Sequence, residues 1–218
     1  MSDSLSFLTP EGTVRSLPDE GRFPAVAAVQ RHWEALRGSR VAPARTEIDP
    51  RPLAQCLEVM FVAELVAPHV ARLRLCGQHL NDLLGMEPRG MPLGVFFRPE
   101  ARSELDIALE QVAQGARVTL PLRAQGGFGR PALEAMLALM PLTDADGRMS
   151  RVLGVLESEG QIGRAPRRFG LGAPARATVP ARPLPEARTP STLTPSARTP
   201  STRRPGRPVL HVIEGGRR

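Results

Sequence analysis

Cys76, His79 and Asp82 recur at i, i+3 and i+6, a spacing in which a histidine and a carboxylate can turn a cysteine into a thiolate nucleophile. Gly77 separates Cys76 from the other two, and no glycine-rich oxyanion loop lies beside them. The residues therefore favour a buried Cys76 with surface His79 and Asp82, and no catalytic residue is assigned. The four histidines, His32, His69, His79 and His211, show no HxxxH pattern, and Cys56 and Cys76 form no CxxC, so no metal site is expected.

All 29 basic residues are arginine, which removes P-loop phosphate binding, Schiff-base chemistry and pyridoxal phosphate enzymology, each of which needs lysine. Aromatic residues make up 4% of the chain and tyrosine is absent, so base-stacking platforms are nearly excluded and the core must be aliphatic. The two cysteines form no disulfide framework, and no apolar run approaches a membrane span. The expectation is a cytoplasmic protein with no membrane partner.

Charge divides the 218 residues unevenly. Residues 1–163 carry 17 Arg against 20 acidic residues, a net of −3, whereas residues 164–218 carry 12 Arg against 2, a net of +10. The latter also hold 10 prolines and a repeated Ala-Arg-Thr-Pro-Ser-Thr at 187–192 and 197–202. That composition builds no core. The sequence thus divides into a flexible N-terminus (1–22), a folded domain (23–163), a disordered Arg/Pro/Thr-rich linker (164–207) and a short docking segment (208–218).

Within the domain, Pro24 opens a helix whose stripe is Val26, Val29, Trp33 and Leu36, and Gly38 stops it. Asp49-Pro50 starts a second, short helix leading into a buried strand, Val59 to Ala63. Leu73 and Leu75 alternate with Arg72 and Arg74 in a one-sided strand. A helix carrying Leu80, Leu83 and Leu84 follows, and Pro99 starts the longest helix. Three strands close the domain, joined by turns at Gly126–Gly129 and Asp144–Gly147, with Pro121 placing the first of them at an edge. The class is α+β.

That order, with His32-Trp-Glu-Ala-Leu-Arg-Gly38, Pro43-Ala-Arg45, Ile48-Asp-Pro50, Arg72-Leu-Arg-Leu-Cys-Gly77, Leu84-Gly85, Arg89-Gly90 and Leu153-Gly154, resembles the PAS domain, in particular stand-alone bacterial PAS proteins without an attached output domain. Gln78 stands where a small hydroxylated residue is expected and Met86 where a polar or acidic one is. The resemblance implies a five-stranded antiparallel sheet with helices on one face, and a sensory or regulatory role exerted through a protein partner in a signalling pathway. It also implies a small cavity, for which Leu75, His79, Leu80, Leu84, Phe96, Leu109 and Met136 are the candidate lining residues for a small apolar ligand. His79 is the candidate axial ligand for a haem, against a solvated helix residue, and the identity of any cofactor stays open. A homodimer is implied through the stripe Val26, Val29, Trp33 and Leu36. The rival reading is a nucleic-acid-associated protein whose arginine tail binds phosphate backbone, and an enzyme at Cys76 and His79 comes third.

Overall fold

The computed structural model describes residues 21–173 and 175–178. The docking segment, residues 179–207 of the expected linker and residues 1–20 lie outside them. The main strands are β1 (Met60–Ala67), β2 (Val70–Cys76), β3 (Arg117–Ala124), β4 (Leu133–Thr143) and β5 (Met149–Glu159), and two short strands, β6 (Gly170–Leu171) and β7 (Arg176–Thr178), follow. They form one sheet in the order β2-β1-β5-β4-β3-β6, with β7 also paired to β3, and every named pair is antiparallel. Hairpins between sequential strands account for β1–β2, β3–β4 and β4–β5.

Helix α1 (Pro24–Arg37) has Pro24 in its first turn and ends at Gly38, whose φ of 55° lets its N–H reach the Glu34 carbonyl. Helix α2 (Gln78–Leu84) ends at Gly85 in the left-handed region. Helix α3 (Arg102–Ala113) follows a 3-10 turn at Pro99–Ala101. α1, not the helix after Pro99, is the longest, because the turn consumes that segment's first residues. The second expected helix is a 3-10 helix, Arg51–Val59, in which Asp49 Oδ1 accepts from the Arg51 N–H at 3.0 Å.

The two faces of the sheet carry separate cores. On the inner face α2 and α3 pack with Phe61, Leu73, Leu120, Leu137 and Leu156. On the outer face α1 and the 3-10 helix pack with Met60, Met136, Met140, Leu153 and Val155. Where β1 meets β5, Phe61 opposes Gly154, and a Cβ at Gly154 would lie 2.0 Å from the Phe61 ring. Only glycine leaves room for that ring.

The chain after β5 departs from the expected linker. Phe169 is 0% exposed in the inner core, its N–H donates to the Phe96 carbonyl at 2.8 Å, and its carbonyl accepts from the Arg98 N–H at 2.9 Å. β6 and β7 then pair with the outer edge of β3 on either side of Pro121. The Pro121 carbonyl accepts from the Gly172 N–H at 2.8 Å, so the ring nitrogen, which has no hydrogen to give, faces the side where pairing is interrupted. The folded domain therefore extends past residue 163 through this strap. One apolar anchor and two short ladders are enough to hold a segment whose average composition is that of a linker.

Candidate functional site

The candidate lining residues separate onto different surfaces. Leu80, Leu84, Phe96 and Leu109 meet in the inner core, beside Phe97 and Phe169. Leu75 does not join them. The β1–β2 register passes from Val62↔Leu75 to Ala63↔Leu73, a bulge that sets Arg74 and Leu75 against one residue of β1. The bulge reverses the alternation, so Leu75 turns to the outer face, 53% exposed, and Cys76 packs against the inner core. Met136 is likewise misplaced by the sequence reading: it is buried under α1, on the opposite face of the sheet from the helices expected to border a cavity.

The dimer stripe is also corrected. Val26, Val29 and Trp33 are buried within one subunit, Trp33 at 1% exposure with its Nε1 donating to the Pro141 carbonyl at 2.9 Å, and Leu36 is half-buried. The apolar stripe is spent on the protein's own sheet, where Gln30 Nε2 also donates to Thr119 Oγ1 at 3.0 Å and Glu157 Oε2 accepts from the Val26 N–H at 3.0 Å. A helix stripe shows that a face is buried, not by what.

Around α2 the polar residues form no nucleophilic set. Burial first, and Glu87 second, push the Cys76 thiol up to about 11, so it stays protonated at neutral pH. His79, half-buried at the start of α2, bonds Ser158 of β5 through Nε2 at 3.0 Å, and no hydrogen bond joins it to Cys76. Burial holds its imidazole below the ordinary range, against the opposing pull of Asp82 and Glu58. Asp82 instead accepts from Gln78 Nε2 at 2.8 Å. Among the described residues no group of three His, Cys, Asp or Glu is placed to hold a metal ion.

An open groove of about 510 Å³ runs along α2, lined by Gln78, Asn81, Asp82, Met86 and Ile162 among others. The two positions that depart from the family pattern, Gln78 and Met86, both line it. Asn81 Oδ1 lies buried there without a partner, while Asn81 Nδ2 donates to Gln78 Oε1 at 3.2 Å. Carboxamides and a carboxylate can bind through hydrogen bonds but offer no nucleophile.

The feature that the sequence reading missed is the uncovered part of the outer face. α1 and the 3-10 helix cover β4, β5 and the start of β1, whereas Leu75, Val66, Val70 and Leu57 remain exposed and Val62 half-buried. Beside them Glu64 Oε2 accepts from Arg74 Nε at 2.7 Å and Glu64 also pairs with Arg151. The two guanidinium groups, Arg151 first, hold the Glu64 carboxyl below its usual range. The alternation of β2 hid this surface, because it assigned Leu75 to the core.

A family model described as the PAS domain matches residues 22–157. A search of the curated proteins finds no match. Among solved structures, the chain is similar to an RNA-binding light-oxygen-voltage receptor, at 22% identity and a TM-score of 0.38, covering 53% of this chain and 35% of that one. The chain thus spans about a third of that receptor. It is also similar to the light-oxygen-voltage domain of the blue-light photoreceptor Aureochrome1 in its dark structure, at 14% identity and a TM-score of 0.38, covering 50% of this chain and 80% of that one. A third, a light-oxygen-voltage domain structure with a flavin analogue, has 17% identity and a TM-score of 0.37, covering 51% and 84%. With the family match spanning more than half of the chain and ending within β5, the chain belongs to the PAS domain family, whose members act as sensory or regulatory modules.

Proposed function

We propose that this protein is a regulatory module whose output is protein contact at the uncovered half of its outer sheet face, made first by a second copy of itself. The observation that carries the reading is the patch formed by Val62, Val66, Val70 and Leu75 beside Glu64, Arg72 and Arg74. A symmetric interface needs one surface that complements itself, and a patch in which Glu64 and Arg72 lie between Val62 and Leu75 on one side and Val66 and Val70 on the other carries both charge signs and apolar surface for that pairing. A signalling partner competing for the same face would convert dimerisation into a switch. The reading keeps the contact and leaves out the gate, because Leu80, Leu84, Phe96 and Leu109 pack with Phe169 in a core of the chain's own side chains. It assigns no nucleophilic role to Cys76 and His79, since the Cys76 thiol is held protonated and His79 bonds Ser158. No helix of the described residues is long and apolar enough to cross a membrane.

Sedimentation velocity over a concentration series tests the reading. The full-length protein is expected to dimerise, and Leu75→Arg to shift it to monomer without changing its circular dichroism. A wild-type monomer at every concentration, or a dimer indifferent to Leu75→Arg, would overturn it.

A further inference from the structure

The β3–β4 hairpin ends in a tight turn in which Gly127 and Arg130 exchange both backbone hydrogen bonds, at 2.7 and 3.0 Å, and Gly129 has a φ of +66°. That geometry projects Phe128 from the tip at 100% exposure. The tip is braced: the Arg164 N–H donates to the Gly129 carbonyl at 2.9 Å, and Arg130 Nε donates to the Arg164 carbonyl at 3.1 Å. The ring makes no packing contact that holds the fold, and its π-face stands open on a braced support.

Arg130 and Arg164 stand at the turn itself, and Arg123 and Arg168 lie further back along the β3 edge. Arg123, Arg164 and Arg168 are exposed and Arg130 is half-buried, and Gly170, two residues after Arg168, pairs with Arg123. Among the described residues none of these four arginines lies within ion-pair distance of a carboxylate. Glu134, opposite Arg123 in the ladder, and Glu159 are both held by Arg22 instead. Behind the tip, Arg167 is 1% exposed and donates only to carbonyls, those of Ile162 and Pro131. Burial first, and the neighbouring Arg130 second, disfavour its charge. The strap that supplies Arg164 and Arg168 leads into residues that are arginine-rich in sequence.

We infer that the hairpin tip binds single-stranded nucleic acid, with an unpaired base stacked on Phe128 and backbone phosphates on Arg123, Arg130, Arg164 and Arg168. The low aromatic content argues against a platform of several rings, but a single ring suffices for one base, because every base presents a π-face, and unpaired arginines supply the phosphate contacts. A bilayer would ask for more: the residues beside Phe128 are glycines, Gln125 and Arg130, so a single side chain would carry the whole insertion. This inference does not rest on the contact reading, since the tip and the β1–β2 patch are different surfaces.

Fluorescence anisotropy of the full-length protein with labelled oligo-uridylate and oligo-thymidylate tests it, with a blunt DNA duplex and phosphatidylglycerol–phosphatidylcholine vesicles as competitors. Phe128→Ala, whose side chain is fully exposed, is expected to weaken binding to the single strands on the order of tenfold while leaving duplex binding unchanged. The double variant Arg123→Ala/Arg168→Ala is expected to reduce the slope of log affinity against log salt by roughly 1.4. A preference for uridylate or for thymidylate assigns the strand to RNA or DNA, and either supports the site. Wild-type affinity in Phe128→Ala, no binding of either single strand, or displacement by vesicles but not by free oligonucleotide would overturn it.

Discussion

The inner and outer faces of the sheet solve the same burial problem to different extents. The inner face is closed by α2, α3 and the strap, whose Phe169 reaches the core from beyond the family match. The outer face is closed only where α1 and the 3-10 helix lie, over β4, β5 and the start of β1. The inner face therefore reads as scaffold and the bare half of the outer face as a place for a partner, because exposed apolar side chains grouped on one surface mark contact sites more often than isolated ones do.

Truncating the anchor of each closed face should have the largest effect. Trp33→Ala removes a buried ring and its bond to Pro141, and Phe169→Ala empties the inner core, so each should cost about 3 to 5 kcal/mol in urea unfolding. If Trp33→Ala instead left stability intact and changed the subunit count, α1 would be an interface and the contrast between the faces would fail. Gly154→Ala forces a methyl into the Phe61 ring and should cost about 1 to 3 kcal/mol, with the thermal midpoint as readout. Leu75→Ser sharpens the contrast from the other side. At an exposed position it should change stability by no more than about 0.5 kcal/mol while weakening self-association.

Acid should act on the join between α2 and β5. The folded state holds His79 below its ordinary value of 6.5, so the unfolded chain binds its proton first. The stability linked to this group is present above that pH and is lost as the pH falls through 6.5 towards the lower folded value. Glu64, held below 4.5, adds its loss only at more acid pH. A His79→Gln variant should flatten the fall in thermal midpoint in the first window and leave the second unchanged. An equal fall in both proteins would show that His79 is not the group responsible.

Much of the fold was legible because its signals are local. Alternation marked β2 and β3, apolar runs marked β1, β4 and β5, and Pro24 and Gly38 marked the ends of α1. The hairpin at Asp144 was legible from its turn residues, and its Asp144 Oδ1 accepts from the Asp146 and Arg148 N–H groups at 3.0 and 2.9 Å. What failed depends on pairing across the chain. The bulge opposite Val62 turns Leu75 outward, and nothing in the residues 70–76 announces it. The stripe of α1 signals burial without naming the surface that buries it. The strap was hidden because one phenylalanine and five strand residues cannot alter the average composition of an Arg/Pro-rich stretch.

The most direct test of the account is hydrogen exchange of the full-length protein at low and at high concentration. The account predicts that amides of β1 and β2 gain protection as concentration rises, while those of α1 exchange alike at both. Concentration-dependent protection in α1 with none in β1 and β2 would contradict it.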